Sequence, residues 1–164
     1  MKIIKKILYP IDFTDYSVDL LEYAIMFANR ANASLHLLNV IVEDDLSKGF
    51  DILNEFFNII KDNPEYTVQK NALDDLNLIK VHIKSESPSK GIIDYALQNE
   101  IDLIMISAHR PSCKGEKPLG RTTSEVVKDA PCPVMIMRLP EEMKKHFSRY
   151  ELSLDEIKKE ITSE

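Results

Sequence analysis

Five short apolar runs recur along the chain: residues 7–11 (ILYPI), 34–42 (SLHLLNVIV), 78–83 (LIKVHI), 102–106 (DLIMI) and 134–137 (VMIM). The first, second, fourth and fifth suit strands buried on both faces of a parallel sheet, and 78–83, with Lys80 and His82 interleaved, reads as a third strand between them. The stretches between them carry apolar residues at spacings of three and four. Val18, Leu21, Ile25, Ala28 and Ala31 form one helical stripe, with Thr14 or Asp15 placed to cap its start. Leu46, Phe50, Leu53, Phe57 and Ile60 form a second, ended by Pro64, and a weaker pattern runs through Ala72, Leu73 and Leu76. Ser87-Pro88 marks a helix start, and Ile92, Ile93, Ala96 and Leu97 supply its expected buried face. Thr122, Val126 and Ala130 mark a short last helix, which Pro131-Cys132-Pro133 ends. Strands joined through helices require crossover connections, and right-handed crossovers place the helices on both faces. The expected fold is therefore α/β: an open, doubly wound, five-stranded parallel sheet.

Residues 140–164 depart from this plan. Met143, Phe147, Tyr150, Leu154, Ile157 and Ile161 keep heptad spacing, and Ser153 with Glu156 could divide the segment into two helices. The division expected is an α/β domain over 1–139 and a helical extension over 140–164. The extension packs either on its own domain or on a second subunit, since a long apolar stripe does not stay wet.

A net charge of -6 over 164 residues argues against broad attraction to nucleic acid or to membrane surfaces. No apolar run approaches the roughly 20 residues of a membrane span, and the start MKIIKKILYP reads as a strand, so a cytoplasmic chain is expected. Cys113 and Cys132 lack metal or redox spacing and read as reduced thiols. His36 and His82 lie in strand patterns and make no metal-ligand spacing.

Ligands of open α/β sheets bind beyond the carboxyl ends of the strands. The segments PIDFT, NVIVE and SAHRP end the first, second and fourth strands, and they should converge on one crevice. Asp12, at the first tip, either accepts hydrogen bonds from a ribose or base or braces its own loop. After the fourth strand come His109, Arg110, Lys114, Lys117 and Arg121, opposed by Glu116 alone. Gly120-Arg121-Thr122-Thr123 then opens a helix, where free amides, the helix dipole and threonine hydroxyls favour an anion. Two readings stand for this stretch, a phosphate site and a solvated charged loop. His109 reads as a loop histidine making structural hydrogen bonds. No acid–base pair or activated nucleophile can be assembled from the spacing, so a non-enzymatic protein is expected.

KKILYPIDFTDYS, LHLLNVIV, DLIMISAH and GRTTSEVVKDAPCPVMIM, above all Ala130-Pro131-Cys132-Pro133-Val134, resemble in order the elements of the universal stress protein family. The resemblance covers about residues 2 to 138. It implies a flavodoxin-like, Rossmann-like sheet of strand order 3-2-1-4-5 and a homodimer joined through the last strand; the extension, outside the resemblance, is by its heptad stripe a second candidate contact. Many members bind ATP through a loop of Gly, two residues, Gly, nine residues, Gly, then Ser or Thr. On this chain those positions fall on Ser107, Arg110, Gly120 and Arg121, so only Gly120 carries over. Glycines let backbone amides approach a triphosphate, whereas Arg110, Lys114 and Arg121 would have to hold an anion with side chains. By resemblance, Asp12 and Val40 would contact the adenosine part, and Gly120, Arg121 and Thr122 the phosphates, with Ser107, His109 and Arg110 beside them. Related families that cleave ATP use a Ser/Gly-rich loop after the first strand, and PIDFTDYS has no glycine. The expected function is a stress-response protein acting as a dimeric regulatory or binding module with an altered nucleotide loop. The alternative is an adenine-nucleotide switch or slow ATPase with ATP as ligand.

Overall fold

The computed structural model describes residues 3–42, 54, 73, 75–108 and 119–139. The helical patterns expected over 46–76, His109, Arg110, Lys114, Lys117, Cys113 and the extension 140–164 lie outside the described residues, apart from single positions.

Five strands form one parallel sheet: β1 (Lys6–Pro10), β2 (Ser34–Ile41), β3 (Leu78–Lys84), β4 (Leu103–Ser107) and β5 (Val134–Met137). Their spatial order is β3-β2-β1-β4-β5. Leu8 pairs with His36 on one side and Ile104 on the other, so β1 is the centre from which the chain runs outward in both directions. The described helices are α1 (Asp15–Ala31), α2 (Pro88–Gln98) and α3 (Arg121–Asp129).

The central strands are apolar on both faces because both faces are covered. Ile7, Tyr9, Leu35 and Leu37 join Leu21, Ala24, Ile25 and Ala28 of α1 in one core. Leu8, Leu38, Ile104 and Ile106 join Ile92 and Ala96 of α2 and Val126 of α3 in the other. Leu8 and Ile7 are both fully buried although they point to opposite faces. This is the reason β1 reads as an unbroken apolar run.

Local signals set the helix ends. The Thr14 hydroxyl caps α1 by accepting from the Ser17 amide, and Asn32 ends it in the left-handed conformation, φ 49°. Ser87 caps α2, with Pro88 in its first turn.

Two expectations require correction. Leu97, assigned to the buried face of α2, is 64% exposed. At 3.6 residues per turn it lies roughly 120° from the Ile92–Ala96 stripe, beyond what the sheet covers. The last strand is not buried either: Met135 and Ile136 are both exposed, because β5 is an edge with a neighbour on one side only.

Candidate functional site

β1 and β4 are neighbours in the sheet but far apart in the chain, and their carboxyl ends open a crevice. Two buried or half-buried ties hold its walls. The Asn39 side-chain amide donates to the Ile11 carbonyl at 2.9 Å, fixing β1's exit against β2. The Thr123 hydroxyl donates to the Ser107 carbonyl at 3.3 Å, fixing the first turn of α3 to β4. Ala108 donates to the Met137 carbonyl at 2.9 Å, so the chain leaves β4 still paired to β5.

Between these walls lies a cavity of about 230 Å³. Pro10, Ile11, Leu38, Val40, Pro88, Ile92, Ile106 and Leu119 make it largely apolar, while Asp12, Ser107, Gly120, Arg121, Thr122 and Thr123 add polar groups. An apolar hollow with a few converging polar groups is the usual form of a small-ligand site. Of the sequence candidates, Asp12, Val40, Ser107, Gly120, Arg121 and Thr122 are brought together on its wall. His109 and Arg110 lie outside the described residues.

Each wall has its own chemistry. Asp12 Oδ1 accepts from the Thr14 amide at 3.1 Å and the Thr14 hydroxyl at 2.6 Å. The carboxylate therefore braces its loop, the structural role considered for it, and also lines the cavity. Phe13, the next residue, is buried at φ 57°, an unusual conformation for a bulky side chain. Such outliers cluster where the chain must present neighbouring groups in one geometry. Beneath them the Tyr9 phenol donates to the Ser17 carbonyl at 2.6 Å. Burial first, and then the Asp12 charge, push its pKa far up, so it stays a donor and locks α1 to β1.

On the opposite wall Gly120 has φ 73°, with the backbone turning sharply into α3. Among the described residues no side chain caps α3 by a hydrogen bond, and amides of a helix's first turn have no partner within the helix. Arg121, at the rim, pairs its Nε with Glu125 at 3.0 Å. Val40 lies under α2, where Gly91 lets the helix come close: a Cβ at Gly91 would sit 2.7 Å from Val40 Cγ1.

Sequence reasoning missed Leu38, Ile106, Pro88, Ile92 and Leu119 as lining residues, as well as the strained Phe13. Strand direction points to the first two. Phenylalanine carries no signal for a left-handed conformation. Among the described residues no three His, Cys, Asp or Glu side chains group as metal ligands, and no helix is long and apolar enough to cross a membrane.

Comparison with known proteins places this geometry. Residues 4–138 match the sequence profile of the Universal stress protein family. Universal stress protein MJ0577 of Methanocaldococcus jannaschii is 26% identical over 153 residues, covering 82% of this chain and 94% of that one. The structure of universal stress protein UspA from Lactobacillus plantarum superposes with a TM-score of 0.59 at 28% identity, covering 84% of this chain and all (100%) of that one. A universal stress protein in complex with cAMP superposes with a TM-score of 0.65 at 16% identity, covering 85% and 100%.

Proposed function

The chain belongs to the universal stress protein family, a family of stress-response proteins, and from that premise we propose that it is a dimeric, non-enzymatic regulatory module of the cytoplasm whose crevice binds a small anionic ligand. The observation that carries the reading is the convergence of Asp12, Val40, Ser107, Gly120, Arg121 and Thr122 on one largely apolar cavity. A carboxylate on one wall suits hydroxyl donors, and a helix start on the other suits an anion. The two walls together favour a ligand with a sugar-like part and an acidic part.

A dimer through β5 is part of the proposal. Met135 and Ile136 are exposed on that edge strand, one on each face, and burying them against a second copy removes both from water. Sedimentation velocity should give a dimer. Met135→Lys with Ile136→Glu should give monomers, and a monomeric native chain would overturn this part.

The second reading, an adenine-nucleotide switch, is favoured by the α3 start at the cavity and by the neighbour of similar fold that is in complex with cAMP. Nucleotide-stripped protein should bind an adenine nucleotide in calorimetry, and Arg121→Glu should weaken it by reversing charge at the rim. Unchanged affinity in that variant would remove the phosphate assignment. Incubation with ATP should release no phosphate beyond background; sustained turnover would replace the module by an ATPase.

A further inference from the structure

Arg121 stands where the family pattern has a Ser or Thr, and its charge invites a role as a phosphate clamp. Its surroundings say otherwise. Nε donates to Glu125 Oε1 at 3.0 Å, one helical turn further along α3, so the guanidinium is drawn down the helix and away from the first-turn amides. A solvent-exposed pair at this spacing is ordinarily weak, because two long side chains must be ordered for one contact. Here one partner is already ordered. The hydroxyl of Ser89, a residue only 5% exposed, donates to Glu125 Oε2 at 2.5 Å. Ser89 sits in the first turn of α2, beside the capping hydroxyl of Ser87 at 3.2 Å. The carboxylate is thus held from a second helix through one oxygen while the other faces Arg121.

We propose that Ser89 and Glu125 form a restraint on Arg121 that sets how much negative charge the crevice accepts, making it a site for a nucleoside monophosphate, open or cyclic, rather than a triphosphate. The inference rests on the adenine-nucleotide reading of the crevice. With Arg121 tied and paired, and the Thr123 hydroxyl donating to Ser107, the described rim offers an anion the amides of one helix start and the hydroxyl of Thr122. That set matches one phosphate. Glu125 and Ser89 do not line the cavity; they are positioning residues that act through Arg121.

The test is calorimetry on the full, nucleotide-stripped chain with adenosine, AMP and ATP, at low salt without added metal. The native protein should bind AMP at least as tightly as ATP. Glu125→Gln should release Arg121 and tighten ATP about tenfold, the effect of one charge-assisted hydrogen bond to the outer phosphates, with a smaller gain for AMP. Ser89→Ala should move the AMP-to-ATP ratio in the same direction by less. In Glu125→Gln with Arg121→Gln the gain should vanish, since nothing is left to release. Melting temperatures near the native value show that the variants fold. If Glu125→Gln melts early, Ser89→Ala and the single Arg121→Gln, which should change ATP affinity by no more than about threefold, carry the test alone.

ATP bound more tightly than AMP by the native chain, and weakened by Glu125→Gln, would make Glu125 the support of an Arg121 clamp and overturn the inference while leaving the nucleotide reading intact. A full gain without Arg121 would overturn the restraint. No binding of adenosine, AMP or ATP would remove the nucleotide reading and the inference with it.

Discussion

At the amino end of the sheet, Asp102 Oδ2 accepts from the amides of Lys5 and Lys6 at 2.9 and 3.1 Å, stitching β4's entry to β1's. Lys6 Nζ reaches the Asn99 carbonyl at 2.9 Å, and Ser34 donates to Lys5 through both its amide and its hydroxyl. His36 is held between the Tyr95 hydroxyl at 2.8 Å and Ser34 Oγ at 3.3 Å. At the carboxyl end, polar groups of the same kinds surround a hollow. The two ends share strands and core, so the difference is not one of composition. It teaches that a polar residue near a strand end holds the fold when its partners are protein atoms, and becomes a candidate for binding when its neighbours leave space.

The comparison can be broken from either side. The largest effect is expected at the closed end. Asp102→Ala leaves two backbone donors without their charged acceptor and should cost about 2 kcal/mol in urea unfolding, with ligand affinity unchanged. A loss of binding with full stability would show that the ends are not separable. Next comes Gly91→Ala, at the open end. The added methyl meets Val40, a lining residue of the cavity, at 2.7 Å and Ser85 Cβ at 3.0 Å. We expect a loss of about 1 kcal/mol, overpacking outweighing the helix propensity of alanine, and weaker ligand binding. A stabilised variant with native affinity would mean that α2 can shift away.

Asp12→Ala should cost only about 0.5 kcal/mol, because the lost contacts belong to an exposed turn. Its ligand affinity should fall clearly. Native affinity, measured by calorimetry, would leave Asp12 with the bracing role alone.

The smallest effect is a pH dependence. Because the Ser34 hydroxyl donates to the Lys5 carbonyl, a neutral His36 closes the network in the tautomer with Nε2–H toward Ser34 Oγ and Nδ1 left to accept from Tyr95. Burial, and then the charge of Lys6, hold its pKa below the ordinary 6.5. The unfolded chain therefore takes up the proton first. The contribution is present above about pH 6.5 and lost as pH falls through the folded value. Burial lowers His82 in the same direction. Unfolding free energy should decline below that pH, and His36→Gln should flatten part of the decline. An unchanged slope would place the titration on other groups.

Much of this was legible in the chain. The apolar runs gave the central strands β1, β2 and β4, because burial on both faces leaves no polar alternation to read otherwise, while the edge strands β3 and β5 showed only as short apolar stretches between helices. Ser87-Pro88 announced α2, since a cap and a first-turn proline act locally. Strand-end logic brought Asp12, Val40 and Ser107 to one place. Other features were not legible. Leu97 and β5 read as buried because apolar character was taken for coverage, and coverage depends on which element lies opposite. The Ser89–Glu125 bond joins residues 36 apart in the chain, and the alignment of α2 beside α3 exists only once both lie on the sheet.

By itself the sequence determined the types and order of the described elements, the parallel sheet and the family, since each follows from local periodicity, caps and motifs strung along one chain. Only the tertiary structure decided which faces stayed uncovered, that a cavity remains at the carboxyl end, and that Arg121 is tied to Glu125. Those outcomes depend on distances between segments remote in sequence, and packing fixes such distances collectively rather than residue by residue.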